Sequence, residues 1–169
     1  MLSDRSIRRA IDRGHLAVTR PDGIELRDWQ VQPVSIDLLL GGVSLRNGTP
    51  LPADEWGGWD IKPHQFLLGS TVENICLSEN LVGMVHGKST IAREGLMVEC
   101  AGLVDPGFQG QLTLELFNMT GEPISLLRYQ AICQLTLHWT DTTPERIYGQ
   151  ADNHYQGQAG PTPSWRLTI

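Results

Sequence analysis

The chain has 169 residues, 40% hydrophobic and 19% charged, with 18 glycines, 10 prolines and a formal net charge of −6. That length fits one domain with a sizeable core, and the composition is that of a turn-rich, strand-heavy globular protein rather than a disordered or helical one. The acidic balance excludes a surface that wraps a nucleic-acid backbone, which needs clustered cations, so an anionic ligand must be small and met by a few local positive charges.

Met1-Leu2-Ser3-Asp4-Arg5 lacks the apolar segment of a signal peptide, and no run is long and apolar enough to cross a membrane; the expectation is a cytoplasmic protein. Ile7, Ala10 and Ile11 recur at helical spacing, with Ser3 placed to cap the helix and Gly14 to end it. Val34, Ile36, Leu38 and Leu40 then alternate as in a strand, which Gly41-Gly42 is expected to close with a turn. Further strands are predicted over 66–72, 81–85, 111–117 and 131–139. Turns fall at Pro50-Leu51-Pro52, Trp56-Gly57-Gly58, Asp105-Pro106-Gly107 and Thr120-Gly121-Glu122-Pro123, and short punctuated strands imply a sandwich or barrel. Between two strands, Ser89-Thr90-Ile91-Ala92-Arg93-Glu94-Gly95 predicts a short helix, with a hydroxyl cap at its head. The tail from 149 onward is rich in Gly, Gln and Pro and reads either as disorder or as a lid that orders over a ligand. The whole of 1–169 is expected to be one domain, with 149–169 its flexible lid. Cys76, Cys100 and Cys133 are scattered and odd in number, which suits reduced thiols rather than a disulfide framework.

Three stretches carry candidate chemistry. Gly87-Lys88-Ser89-Thr90-Ile91-Ala92-Arg93 combines a glycine, two cations and two hydroxyls, a set that can hold a polyphosphate although it lacks the P-loop spacing. In Gln111-Leu112-Thr113-Leu114-Glu115-Leu116-Phe117 the leucines take one face of the strand and Glu115 the other. A solvent-facing carboxylate is the usual result; if that face lines a pocket, desolvation fits Glu115 for proton transfer. Asp105 begins a β-turn and can also accept a hydrogen bond from a ligand hydroxyl. A zinc deaminase needs His-x-Glu and Pro-Cys-x-x-Cys, and neither is present; the histidines form no ligand pairs.

Taken in order, several blocks make the chain resemble the dCTP deaminase family of the dUTPase superfamily. They include Val31-Gln32-Pro33-Val34-Ser35-Ile36-Asp37-Leu38, Gly87-Lys88-Ser89-Thr90-Ile91-Ala92-Arg93-Glu94-Gly95-Leu96, Ala101-Gly102-Leu103-Val104-Asp105-Pro106-Gly107-Phe108, Leu114-Glu115-Leu116-Phe117-Asn118 and Tyr155-Gln156-Gly157-Gln158-Ala159-Gly160-Pro161. The resemblance implies an all-β, distorted jelly-roll β-barrel, a homotrimer with active sites at subunit boundaries, and Mg²⁺ carried on the substrate triphosphate, without zinc. It implies hydrolytic deamination of dCTP, with Glu115 as proton shuttle, Ser89 positioning the water and Arg93 completing the catalytic set. By the same resemblance Lys88 and Thr90 contact phosphate, Asp105 holds the deoxyribose 3′-hydroxyl, and Tyr148 and Gln158 close over the nucleotide. Ala101, Gln134 and His154 complete the substrate contacts, His154 standing where a phosphate-binding Lys is usual. The 95–105 segment is one residue shorter than in most deaminases, with Cys100 in a usual Thr position, which moves it toward the dUTPase pattern. Arg128-Tyr129 replaces a Pro-Gly turn. A bifunctional enzyme giving dUMP, a pure dUTPase and a non-catalytic nucleotide-binding regulator are the alternatives.

Overall fold

In the computed structural model, which describes residues 1–21, 23, 26–99, 102–150 and 153–167, the first helix α1 (Asp4–Asp12) buries Ile7 and Ala10 as its periodicity requires. Ser3 stands at the N-cap, but its hydroxyl meets Ser6 Oγ and makes no cap bond. The amide of Arg5, one of the donors a side-chain cap would serve, is taken by the Asp4 carboxylate at 2.8 Å, and the amide of Asp4 donates to the Pro33 carbonyl at 2.9 Å. Gly14 ends the segment at φ +72°.

Ten strands follow among the described residues, five of them not foreseen: β1 (Leu16–Thr19), β2 (Ile36–Ser44), β3 (Gly58–Ile61), β4 (Phe66–Leu77), β5 (Leu81–Gly87), β6 (Leu96–Glu99), β7 (Leu103–Val104), β8 (Gln109–Asn118), β9 (Ile124–Leu127) and β10 (Ala131–Trp139). One sheet runs β6-β8-β4-β2-β10-β5-β7 with β1 also on β4; β3 pairs β9 in a second small sheet. All named pairs are antiparallel. The large sheet curls until its ends approach: a Cβ built on Gly87 of β5 lies 3.6 Å from Val98 of β6. This is an all-β, barrel-like fold, one of the two architectures the strand pattern implies and the one the resemblance implies. Inside it Leu38, Leu40, Leu67, Leu114, Leu116, Leu135 and Leu137 are fully buried, each contributing about 1.5–3 kcal/mol.

Gly41-Gly42 does not end β2. The strand continues to Ser44 through a register shift between Leu40 and Gly42, and a Cβ at Gly41 would lie 2.8 Å from the Thr71 carbonyl. The glycines serve close strand approach at a bulge instead of a turn. Beside this bulge, Glu73 is fully buried, with Oε1 accepting from Gln30 Nε2 at 2.9 Å and Oε2 from the Leu39 amide at 3.0 Å. Burial raises its proton affinity; these bonds and the charge of Arg20 oppose the rise. The short helix α2 (Ser89–Arg93) has Lys88 at the N-cap, one residue before the expected hydroxyl, and no side-chain cap bond. No described helix is long and apolar enough to cross a membrane.

Candidate active site

The alternation in β8 has the consequence expected of it. Leu112, Leu114, Leu116 and Asn118 point into the core, while Gln111, Thr113, Glu115 and Phe117 are half-buried on the other face. Leu68 of β4 and Glu99 of β6 stand opposite Glu115 in register. That face is not a flat surface. The tail crosses it and forms with it an open cleft of about 570 Å³, in which Glu115 is surrounded by Arg46, Phe66, Leu68, Tyr155, Ser164 and Arg166. Such a volume lies in the range of small-molecule sites. Glu115 Oε2 is withdrawn from solvent.

A second, smaller cavity of about 110 Å³ adjoins the first through Thr113 and Gln158, which line both. Asp105, Phe108 and Tyr148 form its wall together with Leu103. The Phe108 and Tyr148 rings meet edge to face at 5.6 Å, and the Tyr148 amide donates to the Pro106 carbonyl at 2.7 Å. Burial raises the Tyr148 phenol above its ordinary value, and the charge of Asp105 adds to the rise against a bond with the Tyr155 backbone. The phenol therefore stays neutral at physiological pH and can donate a hydrogen bond.

The tail is fixed by pairing with β8. Gly157 N–H donates to the Gln109 carbonyl at 2.8 Å, Gln111 N–H to the Gln158 carbonyl at 3.0 Å, and Gln158 Nε2 to the Gln111 carbonyl at 2.7 Å. Gln156 is held on both sides, accepting from the Gln109 amide and donating to the Gly107 carbonyl. His154 is exposed and stacks on Trp165 at 4.3 Å, with the Arg166 guanidinium 5.8 Å from the centre of that indole.

A different set gathers around Asp37 of β2. Lys88 Nζ pairs with Asp37 Oδ2 at 2.5 Å, and Asp37 Oδ1 is buried with no hydrogen bond among the described residues. Gln134 of β10 stands opposite Asp37 and His86 in register, its Oε1 accepting from Ser35 Oγ at 3.4 Å. Ser89, Thr90 and Arg93 are exposed on α2 and line neither cavity. Thus the chain brings Glu115, Asp105, Tyr148 and Gln158 together, while Lys88, Ser89, Thr90, Arg93 and Gln134 lie apart from them and His154 lies outside both cavities. Ala101, with Cys100, falls outside the described residues.

Asp37, Arg46, Thr113, Tyr155 and Arg166 were not singled out by the sequence reading. Arg46 sits in the exposed loop after β2, where a polar residue before Asn47-Gly48 reads as an ordinary turn. Only the β2-β4-β8 order carries it toward Glu115. Asp37 did carry a signal, being a buried carboxylate in an otherwise apolar strand. Among the described residues no group of three or more His, Cys, Asp or Glu could cage a metal ion.

Residues 1–140 match the pattern of the dCTP deaminase-like family. The chain is 41% identical to the dUMP-forming dCTP deaminase of Aquifex aeolicus, over 97% of this chain and 93% of that protein. It is 37% identical to the dCTP deaminase of Natronomonas pharaonis, again over 97% of this chain and 93% of the relative. Among solved structures, the 2′-deoxycytidine 5′-triphosphate deaminase from Agrobacterium tumefaciens superposes with a TM-score of 0.65 at 21% identity, covering 82% of this chain and 47% of that one. The chain therefore spans about half the length of that structure and nearly the full length of the two relatives.

Proposed function

The chain belongs to the dCTP deaminase-like family, and from that premise we propose that it hydrolyses dCTP to dUTP and ammonia at the cavity holding Glu115. The observation that carries this reading is the placement of Glu115: a carboxylate on a strand paired on both sides, one oxygen shielded from water, facing a cavity large enough for a nucleobase. The adjoining chamber then takes the deoxyribose. Asp105 accepts a hydrogen bond from the 3′-hydroxyl, and the Phe108 ring offers an apolar face to the sugar.

In the reaction, Glu115 as carboxylate takes a proton from water as the water oxygen bonds to C4 of cytosine. It delivers that proton to N3 and then carries the proton of the new C4 hydroxyl to the 4-amino nitrogen; the C4–N4 bond breaks, and ammonia leaves as the C4 carbonyl forms. Acid–base help of this kind is worth about 10²–10⁴-fold. Ser89 and Arg93, displayed on α2 away from Glu115, are supplied to the site by a neighbouring copy in a homotrimer; Ser89 orients the water and Arg93 offsets developing charge. Lys88 and Thr90 belong to the same phosphate-facing turn. Gln158 and Tyr148 close the site, and His154, stacked on Trp165, serves the tail's own packing before it serves phosphate.

Mg²⁺ would come to the site on the substrate triphosphate, which would supply its ligands. Asp37 does not fit it, with Oδ2 on Lys88 and Oδ1 buried away from the water a hydrated cation carries. When bound, the ion neutralises triphosphate charge. Zinc has no part in the reading. A cytoplasmic location suits nucleotide chemistry of this kind.

The similarity to a dUMP-forming relative favours a second activity, cleavage of the product dUTP to dUMP and diphosphate. One experiment separates the readings: ammonia and diphosphate are assayed independently with dCTP and with dUTP. Ammonia without diphosphate marks a deaminase; both products from dCTP mark the bifunctional enzyme; diphosphate from dUTP with no ammonia from dCTP overturns the deaminase reading. Tight binding with neither product marks a regulator. Glu115→Gln is expected to fold and bind dCTP but to release ammonia at least about 10²-fold more slowly.

A further inference from the structure

A tail that closes over a site must stop in one register, because a slip of one residue along β8 would carry every tail side chain to a wrong position. Backbone pairing with β8 is confined, among the described residues, to Gly157 and Gln158, with a parallel bridge between Gly110 and Gln158. Beyond it the tail is held by side chains of β8. Gly160 N–H donates to Gln111 Oε1, whose Nε2 donates in turn to the Val72 carbonyl at 3.0 Å, where the β4–β8 ladder is broken between Ser70 and Asn74. Two residues on, Thr162 N–H donates to Thr113 Oγ1 at 3.1 Å. The same hydroxyl donates to Gln158 Oε1 at 3.4 Å.

Thr113 therefore accepts from one tail residue and donates to another, from the strand position two before Glu115 on the same face. A β-branched side chain is stiff at χ1, so the hydroxyl is held in place. Gln158 has its Nε2 on the Gln111 carbonyl and its Oε1 on Thr113, which leaves its carboxamide one orientation at the boundary of the two cavities. We propose that Thr113 is a positioning residue: its hydroxyl sets the register of the closed tail and seats Gln158 between the chamber of Glu115 and the chamber of Asp105. What the chambers hold rests on the deaminase reading above; the register does not.

Thr113→Val keeps shape and removes the hydroxyl, stranding the Thr162 amide and the Gln158 carboxamide oxygen; Thr113→Ser restores the hydroxyl. In the full-length protein without nucleotide, hydrogen exchange at the Gly160 and Thr162 amides is expected to quicken about tenfold in Thr113→Val and to return toward wild type in Thr113→Ser, with the β8 core amides unchanged. With dCTP as substrate, KM should rise about tenfold while kcat stays within about twofold, since the hydroxyl acts on the tail and not on the reacting carbon. Unchanged tail exchange overturns the proposal, as does a fall in kcat with KM unaltered. If wild type turns over neither dCTP nor dUTP, the deaminase reading fails and the exchange experiment alone decides the role of Thr113.

Discussion

The outer face of β8 and the turn at 87–93 both carry polar residues of the sort that bind nucleotides, yet the fold treats them in opposite ways. On β8, Glu115 and Thr113 are flanked by the tail of their own chain, and Asp105 and Tyr148 line an adjacent cavity that shares Thr113 and Gln158 with the first. At the turn, Lys88 is engaged by Asp37 while Ser89, Thr90 and Arg93 face outward from a helix of five residues. A strand between two neighbours holds a side chain where a cavity can form around it; a short exposed helix becomes part of a site only when something else is brought against it. The difference fits the proposed reading, in which a single chain builds the base and sugar chambers and a second copy takes up the groups displayed on α2.

The largest effect should come from breaking that division of labour. Arg93→Ala, which leaves the Glu115 cavity untouched, is expected to lower turnover by about 10²–10³-fold. Arg93→Ala and Glu115→Gln subunits, each inactive alone, should regain activity when co-assembled, because mixed trimers contain sites with one good copy of each residue. Assay of the co-refolded mixture against the separate variants decides it, and a mixture no better than its parents would place Arg93 in the site of its own chain. A smaller effect sharpens the β8 side of the comparison. Gly110 sits at φ +140°, and a Cβ there would lie 2.9 Å from the Gln158 carbonyl oxygen. Through that clash Gly110→Ala should weaken tail docking by roughly 10-fold and raise KM accordingly, and it should also lower Tm, because β8 bears the backbone strain whether or not the tail is docked.

How much of this could be read from residues alone follows from the range of the interactions. The alternation of β8 was legible because period two is a local property, and so was the short helix at 89–93. Whether Glu115 faced water or a cavity was not, since that depends on a tail some forty positions later crossing the strand through Gln156, Gln158 and Thr162. The bulge at Gly41 was misread as a turn because a glycine pair signals both, and only the close approach of Thr71 separates them. Strands such as β3, β7 and β9 are too short, at two to four residues, for a periodic signal. Arg128-Tyr129 acquires a partial account: Tyr129 adopts φ +66°, and the guanidinium carbons of Arg20 and Arg128 lie 5.3 and 5.2 Å from its ring centre, a cation–π arrangement that offsets the strain.

The smallest expected effect concerns a carboxylate far from either region's chemistry. Because burial raises the Glu73 pKa in the folded state, folding retains a proton that the unfolded chain has already lost, and wild type loses stability from this group as pH climbs from the ordinary glutamate value through the raised one. Glu73→Gln removes that dependence. Urea unfolding at a series of pH values from about 4.5 to 7 should show the variant gaining on wild type as pH rises, by about 1.4 kcal/mol for each unit by which the pKa is raised. A difference that stays flat with pH would remove Glu73 from the acid–base balance of folding.

The central claim is that the cytosine ring lies in the cavity of Glu115, and a crystal structure of the Glu115→Gln variant with dCTP and Mg²⁺ tests it directly. The account predicts the C4 amino group within about 2.6–3.2 Å of the side chain at position 115, or one water removed from it, with the deoxyribose against Phe108 and Asp105. A nucleotide bound with its base elsewhere, leaving that cavity empty beneath the tail, would contradict it.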